Sequence, residues 1–146
     1  MGGIDLPVPL TRAAAGDADA VIALWEACGL TRPWNDPQRD FALALASGAS
    51  TVLVARVPVL GGEALAGSVM TGFDGHRGWV YYLAVAPGHR RKGLGRALMA
   101  GAEAWLRERG APKIQLMVRE ENEAVAFYEA LGLERQKVVT LGRFLD

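Results

Sequence analysis

The stretch best suited to chemistry is Val85-Ala86-Pro87-Gly88-His89-Arg90-Arg91-Lys92-Gly93-Leu94-Gly95-Arg96-Ala97-Leu98. An apolar run passes through a basic, glycine-containing turn into residues with helical spacing. Gly93 and Gly95 carry no Cβ, so backbone N–H groups at the start of that helix can approach phosphate oxygens, and the helix dipole favours negative charge there. Arg90, Arg91 and Lys92 add positive charge around them. Alone, the basic run reads as a solvated turn and the glycines as a closely packed helix start. Together they describe an anion cradle.

Three nucleotide-binding patterns compete for this cradle. A Walker A loop fails, because Gly88 to Gly93 is followed by Leu94 where Lys and then Ser or Thr are required. The dinucleotide fingerprint fails more softly: Leu98 stands where a third small residue is wanted, although Glu120 imitates the ribose-binding acid. The third pattern, Arg-x-x-Gly-x-Gly, is met by Arg90, Gly93 and Gly95, with Val85-x-Pro87 upstream and Leu98 downstream. On this motif the sequence resembles the GNAT superfamily of acyl-CoA-dependent N-acetyltransferases, over essentially the whole chain. A second signature agrees: Asn122 to Leu133 is similar to the Asn…Tyr…Gly-Phe segment of these enzymes, with Leu133 replacing the usual Phe. The segments Arg32-Pro33-Trp34-Asn35-Asp36-Pro37, Asp74-Gly75-His76-Arg77-Gly78 and Tyr81-Tyr82-Leu83 resemble the bacterial YpeA-type branch.

The resemblance implies acetyl-CoA as cosubstrate and a primary amine of a small molecule or a peptide or protein N-terminus as acceptor. Pantetheine would pair like an added strand with Leu83, Ala84 and Val85, and pyrophosphate would sit on the amides from Arg91 through Lys92, Gly93, Leu94 and Gly95 to Arg96, beside Arg90. By position, the Leu83 N–H would stabilise the oxyanion, Tyr128 would protonate the departing thiolate, and Asn122 would anchor the cofactor side of its helix. Many relatives use a Glu as general base, but the corresponding positions here are Trp79 and Met117. The candidates then become Asp74, His76, Tyr81, Glu120 or Glu121, with His76 favoured by an ordinary pKa near about 6.5. Trp34, Asn35, Asp36, Asp74 and Tyr81 would meet the acceptor, the two acids drawing in an ammonium group and Trp34 offering a cation–π face. Asn-Asp-Pro and Asp-Gly are also turn formers by local chemistry. Two alternatives stay open: a non-catalytic acyl-CoA-binding module, suggested by the missing Glu, and a dinucleotide-binding oxidoreductase domain.

The elements that must position these residues follow from periodicity. Val8 to Thr11 reads as a strand. Asp17 offers an N-cap to a helix with Val21, Leu24, Trp25 and Cys28 on one face, ended by Gly29. Pro37 suits the first turn of a second helix reaching Gly48. Thr51 to Val57 and Ala64 to Phe73 form a hairpin about Gly61-Gly62, and Trp79 to Val85 reads as a central strand buried on both faces. Leu94 to Gly110 carries the strongest helical pattern, Lys113 to Val118 alternates as a strand, Asn122 caps a short helix ended by Gly132, and Val138 to Leu141 reads as a last strand. The expected fold is α/β (α+β): a mixed, mostly antiparallel sheet flanked by helices and, from the resemblance, splayed between the fourth and fifth strands.

Composition sets the outer bounds. The 146 residues hold 16 Lys plus Arg against 16 Asp plus Glu, with 51% hydrophobic and 22% charged residues, as in one compact domain spanning 1–146. The zero balance gives no global reason to bind nucleic acid or an anionic membrane. One cysteine, Cys28, excludes an internal disulfide framework, and with His76 and His89 far from it no metal-ligand spacing arises. No signal-like segment stands at the N-terminus, and the longest uncharged stretch, Phe41 to Ala55, is too short to span a membrane. A cytoplasmic setting is expected, with a homodimer compatible.

Overall fold

A computed structural model describes residues 9–120 and 122–145. The strands are β1 (Leu10–Arg12), β2 (Ser50–Val59), β3 (Gly62–Phe73), β4 (Gly78–Val85) and β5 (Ile114–Leu116); the helices are α1 (Ala18–Ala27), α2 (Pro37–Ala46), α3 (Leu94–Glu108) and α4 (Ala124–Ala130). The strands lie in sequence order in one sheet. The first four are antiparallel and β5 runs parallel to β4, as a crossover through α3 requires.

Alternation along β2 divides the core. Val52 and Val54 pack with Trp25, Phe41 and Ala44 of α1 and α2, whereas Ala55 and Val57 pack with Leu94, Leu98 and Met99 of α3 on the opposite face. Helix α3 buries Leu94, Leu98, Met99, Ala102 and Leu106 along one stripe, and each of its large side chains contributes about 2 kcal/mol by leaving water. Its close seating depends on two strand glycines. A Cβ on Gly67 would lie 2.8 Å from a Leu98 methyl carbon, and one on Gly78 would lie 2.6 Å from a Leu106 methyl carbon. Helix α4 joins the same layer, with Phe127, Tyr128 and Leu131 packed on that core.

The mixed sheet and flanking helices are those expected, with three local differences. Asp17 does not cap α1 through its side chain; its carboxylate turns back to accept from the Ala14 N–H at 2.8 Å and to pair with Arg56. Strand β5 has only three residues where six were expected. Val138 to Leu141 forms no strand: the chain there is irregular, and Val138, Val139 and Leu141 are exposed. An apolar alternating run becomes a strand only against a partner edge, and three-residue β5 offers little of one. The first expected strand reaches back to Val8, which lies outside the described residues. No described helix is long and apolar enough to cross a membrane.

Candidate active site

Strand β4 serves two partners in succession. Its first half pairs with β5 through Gly78, Trp79 and Val80, opposite Ile114, Gln115 and Leu116, and the Gly78 N–H donates to the Lys113 carbonyl at 2.7 Å. Beyond Val80 the ladder ends and the two strands part. On the other side, Met70 faces Tyr81 and Ser68 faces Ala84, so Val69 stands opposite both Tyr82 and Leu83: a β-bulge. Tyr82 sits at φ +51°, a backbone region that bulky side chains rarely enter. After the bulge the Ala86 N–H donates to the Ala66 carbonyl of β3 at 2.8 Å. By ladder alternation, Ala84 then faces β3, while Leu83 and Val85 direct their N–H and C=O groups into the gap.

Tyr82 is held by two contacts, with a third anchoring its stacking partner, that reading the sequence did not anticipate. Its ring stacks on Trp25 with centroids 3.9 Å apart and planes within 7°, and the Trp25 Nε1–H donates to the buried Ser68 Oγ at 3.0 Å. Its hydroxyl donates to the Asp40 carboxylate at 2.6 Å. Burial and then the Asp40 carboxylate push the Tyr82 hydroxyl well above its usual pKa, so it remains a donor.

The cradle follows β4 directly. A 3-10 turn over Pro87–His89 leads through Arg91, at φ +62°, and Gly93, at φ +80°, into α3. Arg90 turns back, its Nε–H donating to the Val85 carbonyl at 3.2 Å, and Cys28 Sγ approaches the same oxygen at 3.3 Å. The Ala97 N–H makes a helical bond to the Gly93 carbonyl at 3.0 Å. The amides of Leu94, Gly95 and Arg96 precede it and have no intrahelical acceptor. Arg91 and Arg96 are exposed beside them and Lys92 is half-buried. Gly95 has a packing role too, since a Cβ there would lie 3.1 Å from Cζ of Phe127. Its absence lets α4 close onto α3.

The gap opens into a cleft of about 800 Å³. Leu83 of β4, Asn122 and Tyr128 line one end, and Asn35, Asp40 and Tyr81 also reach it. Tyr128 is half-buried, and desolvation raises its hydroxyl above the usual value. Asn122 opens α4, its Oδ1 accepting from the Ala124 N–H at 2.8 Å. The remaining expected residues lie elsewhere. Asp36 caps α2 by accepting from the Arg39 N–H at 3.1 Å. Asp74 closes the β3–β4 turn, accepting from the N–H groups of His76 (2.8 Å) and Arg77 (2.7 Å) and from Trp79 Nε1 (3.0 Å), contacts that hold its carboxyl below the usual range. His76 is exposed on that turn, and neither His76 nor Glu120 lines the cleft. Glu121 lies outside the described residues. Trp34 is exposed, with the Arg119 guanidinium 5.3 Å from its ring centre.

Asp40 is the one carboxylate among the described residues that lines the cleft, and reading the sequence passed over it. As an acid in the first turn of α2 it looks like a partner for the helix dipole. Only the tertiary contact between α2 and β4 turns it toward Tyr82. Two arginines, Arg32 and Arg119, line the cleft as well. No group of three or more metal-ligating side chains occurs among the described residues.

The known proteins most informative for comparison are acetyltransferases. The Acetyltransferase (GNAT) family matches residues 19–133. An acetyltransferase of Pectobacterium atrosepticum is 50% identical over 130 residues, covering 88% of this chain and 89% of that protein. An acetyltransferase of Yersinia enterocolitica is 47% identical over the same shares. Among solved structures, AAC(6')-Iy in complex with a CoA-S-monomethyl-acetylneamine bisubstrate analogue superposes with a TM-score of 0.77 at 16% identity, over 95% of this chain and 99% of that one. The aminoglycoside 6'-N-acetyltransferase AAC(6')-IG of Acinetobacter haemolyticus gives 0.76 at 18%, over 94% and 99%. These likenesses support the fold, and the sequence matches carry the assignment: the chain belongs to the GNAT family of acetyltransferases.

Proposed function

We propose that the chain transfers an acetyl group from acetyl-CoA to a primary amine held in the cleft. One observation carries this reading: the open edge of β4, where Leu83 turns its N–H outward, borders the same cleft as Asp40 and Tyr128. The α3 amides and the surrounding arginines suit the pyrophosphate, and Leu83 and Val85 suit the amides of pantetheine. Asp40 attracts the ammonium form of the acceptor, which loses its proton to water before attack. The amine nitrogen bonds to the acetyl carbon as the carbon–sulfur bond breaks, the Leu83 N–H donates to the carbonyl oxygen as charge gathers there, and the proton that the nitrogen then sheds passes through water to the departing thiolate. Tyr128 stays a neutral hydroxyl across working pH and donates to the departing sulfur. Complete proton transfer to a thiolate of pKa about 8.5 from a phenol above 10 would run uphill, so hydrogen-bond donation is the role its environment favours.

The test couples binding to turnover. Acetyl-CoA at a hundredfold its Kd should stabilise the protein by about 2.7 kcal/mol, and thiol release should appear only with an amine acceptor. Absence of the thermal shift refutes the reading. A shift without turnover on any amine turns it into the non-catalytic module.

A further inference from the structure

The charges lining the cleft are unevenly used. Asp40 receives the Tyr82 hydroxyl and is half-buried. Arg32, in the α1–α2 loop, donates through Nη1 to the Gly29 and Thr31 carbonyls, both at 2.8 Å, which holds one side of its guanidinium to its own loop without meeting an acid. Arg119, between β5 and α4, is exposed at the rim and lies over Trp34. Among the described residues neither arginine pairs with a carboxylate. Among the described residues the lining thus presents two positive charges against one negative.

A plain amine would be matched by Asp40 alone and would meet surplus positive charge. A polycation, such as the aminoglycosides named for the Acinetobacter haemolyticus neighbour, would meet more. An acceptor bearing both signs uses every charge present. We propose that the acceptor is a zwitterion of the α-amino acid class, whose carboxylate is taken by Arg119 at the rim while its amine lies toward Asp40 and Leu83. A guanidinium offers a carboxylate two parallel N–H donors, and the Trp34 ring gives the Arg119 guanidinium a cation–π neighbour at the rim. A cleft of about 800 Å³ has room for such a molecule beside the thioester. This inference rests on acetyl transfer in the cleft.

The experiment compares free α-amino acids with their α-carboxamides as acceptors at one pH, following thiol release. The carboxamides carry the more readily deprotonated amine, so chemistry alone favours them. The free acids should nevertheless show kcat/KM about tenfold higher or more, equivalent to about 1.4 kcal/mol of recognition. Arg119→Gln should raise KM for the acids about tenfold with kcat nearly constant, so that the preference for acid over amide collapses, and Arg119→Lys should restore part of it. Carboxamides used as well as the acids, equal losses for both series, or a weaker CoA complex by calorimetry in Arg119→Gln would each overturn the proposal. If CoA binds and other amines are acetylated while neither series is, the zwitterion falls and acetyl transfer stands. If CoA does not bind, the acetyl-transfer reading itself fails, and the zwitterion with it.

Discussion

Removing one hydroxyl at the bulge tests how β4 is held open. Tyr82→Phe keeps the ring on Trp25, a stack contributing about 0.5–1.5 kcal/mol beyond its buried area, and deletes only the 2.6 Å bond to Asp40. A hydrogen bond to a charged group is worth about 1.5–3 kcal/mol. Asp40 is only half-buried, so water replaces part of the loss, and about 1 kcal/mol should remain. In a chain of 146 residues that lowers Tm by about 3 °C. Urea unfolding of Tyr82→Phe, Asp40→Ala and the double variant, followed by circular dichroism, should give a coupling of about 1 kcal/mol between the two sites. The pH dependence adds a second check. The folded-state pKa of Tyr82 lies above its usual 10, so the stability it provides is present below about pH 10 and is lost as pH rises further, a loss the Phe variant should not show. Single-variant effects that simply add, within about 0.3 kcal/mol, would refute the coupling.

Four further outcomes follow from the geometry. Tyr128→Phe should leave CoA affinity nearly unchanged while lowering turnover about ten- to a thousandfold, read by steady-state kinetics beside calorimetry. Gly95→Glu should abolish the thermal shift with acetyl-CoA, because it drives Phe127 away and sets negative charge among the α3 amides. Gly78→Ala should lower stability by about 1–3 kcal/mol in chemical denaturation, since its Cβ would overlap buried Leu106. Asp17→Asn should flatten the acid limb of the stability curve. The Ala14 N–H and Arg56 hold Asp17 below its usual 3.8, so its contribution is present above about pH 4 and fades as pH falls further.

The parts of this chain that declare themselves in sequence are those governed by neighbours along the chain. Leu94 to Glu108 repeats its apolar residues with helical spacing, and the turn through Gly93 must reach φ +80°, so strand, turn and helix were all legible. The acceptor end was less so. Asp36 and Asp74 looked like ligands because they are acidic residues in loops, yet each spends its carboxylate on nearby backbone N–H groups. Asp40 looked like an ordinary first-turn acid, and its meeting with Tyr82 spans 42 positions. Nor does any local pattern announce the bulge, since Tyr81 and Tyr82 are both good strand residues. Val138 to Leu141 failed for the reverse reason: its pattern is strand-like, but a strand is completed by a neighbour the pattern does not contain.

The bulge also fixes a parity. Gly78 bonds toward β5 and Ala86 toward β3, although they lie eight positions apart and an unbroken strand would point both the same way. Tyr82 is thus the inserted beat that lets one strand keep two rhythms, the first half timed to the sheet and the second to whatever lies in the gap. Deleting a single residue between Val80 and Leu83 would leave every side chain of the cradle in the sequence and still exchange the amides of Leu83 and Val85 for those of their neighbours. Length in β4 is therefore a constraint separate from composition.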